Sequence, residues 1–142
     1  MKTVIYFIIF IFSLLSCSDN REEPVKNLFI PQQFLGKWKL TETKEYTSNG
    51  IWEWIPYESG KEYDVEYKNN GDFVTTASYQ SQFSNCNYGK YYFLSDQKYF
   101  FSKSNCNTQE IKLELISLNS TDLYMHDSYI EGITYHYVKV IK

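Results

Sequence analysis

Glycine, cysteine, proline and above all arginine are scarce in this chain. Its 142 residues contain six glycines, three cysteines, three prolines and a single arginine, Arg21. The formal net charge is −3, and no segment concentrates lysine or arginine into a basic face. Proteins that bind nucleic acid need such a face to neutralise phosphates. We therefore expect no nucleic-acid partner.

The motifs of common catalytic and metal sites are also missing. The sequence has no Gly-x-Ser-x-Gly, no His-Glu-x-x-His and no glycine-rich phosphate loop. A turn near 130–132 would place the two histidines, His126 and His136, opposite each other, with Asp127 or Glu131 as a third metal ligand. Strand alternation instead favours two histidines on the outer wall. We predict a protein that is not an enzyme, with no catalytic residues, no metal and no cofactor.

The one long apolar run lies at the N-terminus. Residues 4–15 follow Lys2 and are too short for a membrane span, which needs about 20 apolar residues. The segment Leu14-Leu15-Ser16-Cys17 resembles the lipobox of bacterial lipoproteins. This resemblance implies that a signal peptide, 1–16, is removed and that Cys17 is acylated and holds the protein to a membrane. An uncleaved anchor and an ordinary secretory signal are the alternatives.

A polar segment separates Cys17 from the predicted domain. Residues 17–31 are acidic in their first half and contain two prolines, which indicates a tether. The acidic stretch resembles the export signal of some surface lipoproteins, although a plain solvated linker explains it equally well. We expect an outer-membrane location, with the side of the membrane left open.

From Phe34 onward the sequence alternates with a period of two, as strands do. Aromatic residues make up 19% of the chain, and fourteen of them are tyrosine, which suits half-buried strands. Residues 69–72 (NNGD) predict a hairpin turn after the strand at 62–68, and residues 73–79 continue the sheet. The acids Glu62, Asp64, Glu66 and Glu114 fall on the polar faces and are expected to be solvated. We count eight or nine strands in 32–142, which predicts an all-β up-and-down barrel or a sandwich.

Two identical tetrapeptides, Ser-Asn-Cys-Asn, place Cys86 and Cys106 on either side of a predicted hairpin. If the hairpin is centred on Asp96, the two cysteines face each other, as do Tyr91 and Phe101, and Phe93 and Tyr99. Opposed Cα atoms about 4.5–5.5 Å apart allow a disulfide. Such a bond would stabilise the fold by about 3 kcal/mol. A redox or metal pair is the alternative, but the chain has no Cys-x-x-Cys.

The segment Phe34-Leu35-Gly36-Lys37-Trp38 resembles the Gly-x-Trp strand that opens the barrel of lipocalins, and more closely that of small bacterial lipocalin-like lipoproteins. The resemblance implies an antiparallel barrel of about eight strands in which Gly36 lets the chain enter the base and Trp38 plugs it. In lipocalins an arginine near the last strand packs over this tryptophan, and Lys139 is the nearest candidate here. The interior would then hold a small hydrophobic or amphiphilic ligand. The expected lining residues are Trp38, Tyr63, Tyr67 and Phe73.

A second hypothesis is a packed, monomeric domain that binds a protein or a glycan, or inhibits a partner, through its loops. The segment Trp52-Glu53-Trp54-Ile55-Pro56-Tyr57 is the main candidate for such a surface, or for a flap over the barrel mouth. An ordinary strand with a buried pair, Trp52 and Trp54, is the simpler alternative. An interior cavity of about 300 Å³ or more would favour the ligand hypothesis. A packed interior with exposed tryptophans would favour the partner hypothesis.

Overall fold

The computed structural model describes residues 29–76, 87–106, 109–127 and 132–141. A short 3₁₀ turn, Gln32–Phe34, precedes nine strands. The strands are β1 Gly36–Tyr46, β2 Trp52–Pro56, β3 Val65–Tyr67, β4 Asp72–Thr75, β5 Tyr88–Phe93, β6 Tyr99–Ser104, β7 Ile111–Leu118, β8 Asp122–Asp127 and β9 Ile133–Lys139. In these parts of the chain no helix is long and apolar enough to cross a membrane. The predicted signal peptide, Cys17 and Cys86 lie outside the described residues.

The sheet closes into a barrel because β1 pairs with β9 on one edge. On its other edge β1 pairs with β2 at Glu42–Tyr46 and with β3 at Gly36–Trp38, so these two short strands together form one position in the barrel. Every pairing is antiparallel. The predicted all-β barrel of eight strands is confirmed, and closure leaves few exposed strand edges.

Aromatic rings fill the end of the barrel next to the 3₁₀ turn. Phe34 is fully buried at its centre, with ring centroids 4.2 to 5.5 Å from those of four neighbours. Those neighbours are Tyr67, Tyr91, Phe93 and Phe100. Each aromatic side chain buries about 150–250 Å², so this cluster dominates the burial of apolar surface on folding.

A buried carboxylate joins β1 to the segment before β3. The Leu40 amide lies between the two partners of β1 and donates to Asp64 Oδ2 at 2.7 Å, while the Asp64 amide donates to the Trp38 carbonyl at 2.8 Å. Asp64 is only 5% exposed. The expectation that Asp64 is solvated is therefore wrong, because its side chain replaces the strand neighbour that Leu40 lacks.

The β5–β6 hairpin pairs one residue away from the predicted register. Tyr91 faces Ser102 and Phe93 faces Phe100, so the predicted pairs with Phe101 and Tyr99 are wrong. The reason is a four-residue loop, 95–98, in which the Gln97 amide donates to the Leu94 carbonyl and Gln97 takes a positive φ of 55°. The predicted register that placed Cys86 opposite Cys106 therefore no longer supports a disulfide between them. Since Cys86 is outside the described residues, the disulfide stays a prediction.

The β8–β9 register also differs from the prediction. His136 faces Tyr124 and His126 faces Thr134, so the two histidines are not opposite each other. In the β1–β9 pair the register shifts by one residue on β1, between Leu40 and Glu42. The extra residue lets β1 coil around the barrel and changes which of its side chains point outward.

The turn at 69–72 is confirmed. The Lys68 amide donates to the Asp72 carbonyl at 2.9 Å, and Gly71 has the positive φ of 78° that the turn requires. The strand predicted at 73–79 corresponds to β4, Asp72–Thr75. Its predicted continuation through Ala77 and Tyr79 lies outside the described residues.

Candidate functional site

The base of the barrel is closed by Trp38, which is fully buried. Its indole Nε1 donates to the Phe34 carbonyl at 2.8 Å. The Lys139 ammonium lies 4.8 Å from the centre of the Trp38 rings and donates to the Gln33 carbonyl at 2.7 Å. Burial lowers the pKa of Lys139. Gly36 has a φ of 112°, and a Cβ there would lie 3.3 Å from Lys139 Cε, so glycine suits this position on both counts.

The residues predicted to line a ligand cavity contact other side chains of the protein. Trp38, Tyr67 and Phe73 belong to the packed core, and burial raises the pKa of the Tyr67 hydroxyl. Tyr63 is half-buried, and the Lys37 ammonium lies 4.5 Å from its ring centroid. The base of the barrel is thus filled by the protein's own side chains.

Both tryptophans of β2 are exposed on the outer wall. Trp52 faces Tyr46 across the β1–β2 pair and Trp54 faces Lys44. Their exposed fractions are 47% and 41%. The interpretation of this segment as a strand is confirmed, and the interpretation as a buried tryptophan pair is wrong. Exposure of two neighbouring tryptophans is unusual, since their indoles bury more apolar surface than most side chains.

We call the surface formed by Tyr46, Trp52, Trp54, Tyr124 and His136 the outer-wall aromatic patch. The Tyr124 and His136 rings stack with centroids 4.2 Å apart and planes 4° apart. The Trp54 ring stands at 77° to Tyr124, with centroids 6.0 Å apart. Tyr46 and Trp52 extend the patch along β1 and β2, with centroids 5.5 Å apart. Residues from four strands therefore contribute rings to one surface.

Two carboxylates hold the His136 imidazole in place. Nδ1 lies 3.2 Å from Glu42 Oε2 and Nε2 lies 3.0 Å from Asp122 Oδ1. The Thr121 hydroxyl and the His136 ring together hold the pKa of Asp122 below its usual range. The imidazole is thus fixed at both nitrogens and across one face, which leaves it little freedom to rotate.

The second histidine lies beside the patch. His126 Nδ1 is 3.0 Å from Thr134 Oγ1. A Cβ added at Gly132 would lie 3.2 Å from the Trp52 ring and 3.4 Å from His126 Cε1, so the Trp52 ring and His126 both lie next to Gly132. Both histidines are on the outer wall, as predicted. Among the described residues no group of three His, Cys, Asp or Glu side chains could hold a metal ion.

A cleft of about 780 Å³ opens elsewhere on the wall, across β4, β5 and β6. Its lining includes the apolar side chains Phe73 and Val74 and three lysines, Lys68, Lys90 and Lys103. Asp72 forms an ion pair with Lys90 in this lining. The cleft is open to solvent, and Phe73 connects its lining to the aromatic core of the barrel.

No protein-family model, no curated protein and no solved structure matches the chain.

The sequence did not predict the outer-wall aromatic patch as one surface. Sequence reasoning singled out Trp52, Trp54 and the two histidines separately, but it gave no signal that His136 stacks on Tyr124. That contact depends on the β8–β9 register, in which His136 faces Tyr124.

Proposed function

We propose that this protein is a non-catalytic binding protein of the cell envelope that recognises its partner through the outer-wall aromatic patch. The observation that carries the proposal is the exposure of Trp52 and Trp54 next to the fixed Tyr124–His136 stack. Large exposed aromatic surfaces mark interaction sites, and tryptophan and tyrosine supply much of the binding energy there.

The position in the envelope is part of the proposal. The lipobox-like segment ending in Cys17 supports attachment through an N-terminal lipid, and residues 17–31 would then hold the barrel away from the membrane. A likeness to lipocalin-like lipoproteins is supported by the eight-stranded barrel and by Lys139, which covers Trp38 where lipocalins place an arginine. We also propose the Cys86–Cys106 disulfide, which suits an oxidising compartment.

The patch is favoured over the barrel interior because of packing. Phe34 enters the barrel from the 3₁₀ turn and contacts four aromatic rings, so a ligand at the base would have to displace it. Displacing a buried phenylalanine costs several kcal/mol, by analogy with the roughly 3–5 kcal/mol that its truncation costs. The outer wall needs no such rearrangement before it binds.

The test is capture of envelope components by the full chain in detergent, from an extract of its host's envelope. The variant Trp52→Ala/Trp54→Ala is compared with the wild type. The control is Tyr88→Ala, which removes an exposed ring from the lining of the wall cleft on β5, a strand that pairs with none of β1, β2, β8 and β9, so that loss of capture in this variant would point to the cleft instead. We expect capture by the wild type and by Tyr88→Ala, and loss of capture in the double variant. Equal capture by all three proteins would contradict the proposal.

A small amphiphile in the wall cleft is the second candidate function. The cleft volume of about 780 Å³ and its mixture of Phe73, Val74 and lysines favour a ligand with an apolar body and an anionic group. Native mass spectrometry of the full chain would reveal such a ligand as a stoichiometric adduct. The adduct should be lost when Lys68 and Lys103 are both changed to glutamate. An adduct that persists in this variant would place the ligand elsewhere.

A further inference from the structure

We infer that the outer-wall aromatic patch binds a neutral oligosaccharide, with one sugar ring packed on the exposed surface of Trp54 beside the Tyr124–His136 stack. This inference rests on the proposed function and names the ligand class of the same surface. Sugar rings have apolar C–H faces that pack on aromatic rings and hydroxyl groups that need hydrogen-bond partners. The patch offers both within a few ångströms.

The aromatic part of the site has the shape of a corner. The Trp54 plane stands at 77° to Tyr124 and at 73° to His136, while Tyr124 and His136 are parallel. Centroid distances of 6.0 and 6.3 Å show that the Trp54 ring contacts both rings of the stack. The apolar C–H face of a sugar chair can therefore pack on the exposed surface of Trp54 while its edge lies next to the stack.

The polar part of the site consists of acceptors that are already positioned. Glu42 and Asp122 each contribute one oxygen to His136, and a carboxylate has about four acceptor positions. Asp122 Oδ2 also accepts from the Thr121 hydroxyl at 2.6 Å, so sugar hydroxyls can donate to Glu42 Oε1 and to the lone pairs that these contacts leave. The Thr41 hydroxyl, which donates to the His136 carbonyl at 3.1 Å, lies on the same wall.

These acids also favour a sugar over a protein as the occupant. The centres of protein–protein interfaces are depleted in Asp and Glu, because burying a carboxylate against a protein surface is costly. Hydroxyl groups compensate that cost by donating hydrogen bonds. The two carboxylates repel acidic sugars, and the Lys44 ammonium, 6.0 Å from the Trp54 ring centroid, compensates only one of the two negative charges, so the expected ligand is neutral.

The patch is longer than one sugar ring. Trp52 and Trp54 are two residues apart on β2 and therefore lie about 6.7 Å apart along the strand. The Trp52 ring contacts Tyr46 and provides a second apolar surface next to the corner. An oligosaccharide that follows β2 can contact both tryptophans, whereas a monosaccharide can reach only one.

The test is an array of neutral and acidic oligosaccharides probed with the full chain in detergent. We expect the wild type and Tyr88→Ala to bind neutral members, and Trp54→Ala to bind them at least about tenfold more weakly, as for a tryptophan hot spot. Thermal unfolding monitors the fold of each variant. If Trp54→Ala does not fold, Trp52→Ala takes its place, since its ring is the more exposed of the two.

Three results would overturn the inference: no neutral oligosaccharide bound, binding only to acidic members, or equal binding by Trp54→Ala and the wild type. The envelope-capture experiment separates this failure from failure of the proposed function. A captured envelope protein that depends on Trp52 and Trp54, without any oligosaccharide binding, overturns the sugar inference and leaves the patch as a protein-binding surface. If capture does not depend on Trp52 and Trp54 and no neutral oligosaccharide binds, both proposals are overturned.

Discussion

At the residue scale, one side chain stabilises the base of the barrel and another stabilises the place where β1 changes its partner strand. Lys139 covers Trp38 at the base and is held there by the Gln33 carbonyl. Asp64 accepts the Leu40 amide where β1 changes partner from β3 to β2. Without Lys139 the Trp38 ring would lose its cation contact, and without Asp64 the Leu40 amide would lose its hydrogen-bond acceptor.

Changing Lys139 to methionine should lower the free energy of unfolding by about 1 kcal/mol, because the cation–π contact with Trp38 and the hydrogen bond to Gln33 are lost while most of the apolar stem remains. Lys139→Arg should retain most of the stability, since a guanidinium can make both contacts. Urea unfolding followed by tryptophan fluorescence measures the difference. A methionine variant as stable as the wild type would show that Lys139 only lies near the ring.

Changing Asp64 to alanine should cost about 1–3 kcal/mol, because the buried Leu40 amide loses its acceptor. Asp64→Asn should cost less, since an amide oxygen can still accept. The control is Glu66→Ala on the neighbouring strand β3, where the half-exposed side chain predicts a change within about 0.5 kcal/mol. Equal stabilities of Asp64→Ala and Glu66→Ala would contradict this role.

At the element scale, the pattern of alternating residues predicts the strands well but does not predict how they pair. The strands around Trp38, Val65, Leu113 and Leu123 lie where alternation placed them. Their register depends on loop length, which the sequence leaves open. A three-residue turn centred on Asp96 was predicted, and the four-residue loop shifts the β5–β6 pair by one residue and turns Phe101 to the outer wall, where it stacks on Tyr92.

The disulfide is a prediction at this scale. Thiol labelling of the unfolded, unreduced protein should leave Cys86 and Cys106 unmodified, and both should react after reduction. The cysteines should not react before reduction because a disulfide joins them across the ends of the β5–β6 hairpin. Two reactive thiols before reduction would show that the hairpin is closed by its hydrogen bonds and ring contacts alone.

At the scale of the whole molecule, the rhythm of strands and turns predicts a barrel, and the β1–β9 pairing closes it. The candidate site could be predicted only in part. Trp52 and Trp54 are visible in the sequence, but their exposure follows from the way β1 divides one edge between β2 and β3. The pairing of one edge of β1 with both strands depends on the segment 57–64, which connects β2 to β3, and on Asp64. The alternation of polar and apolar residues predicts neither of them.

The proposed attachment to a membrane is also tested on the whole chain. Changing Cys17 to serine should move the protein from the membrane fraction to the soluble envelope fraction, because the residue expected to carry the lipid is lost. Fractionation of cells followed by immunodetection measures this. A Cys17→Ser protein that is processed and still sediments with membranes would contradict the lipoprotein hypothesis.

The central claim, that the outer wall rather than the interior binds, can be tested with the three tryptophans of the chain. Trp38 reports the barrel base, whereas Trp52 and Trp54 report the patch. In a ¹⁵N-correlation NMR spectrum of the full chain in detergent micelles, each indole N–H gives one signal, assigned with Trp52→Phe and Trp54→Phe. When an extract of the host's envelope is added, we predict that the signals of Trp52 and Trp54 shift and that of Trp38 does not. A shift of Trp38 alone would contradict the account and place the ligand inside the barrel.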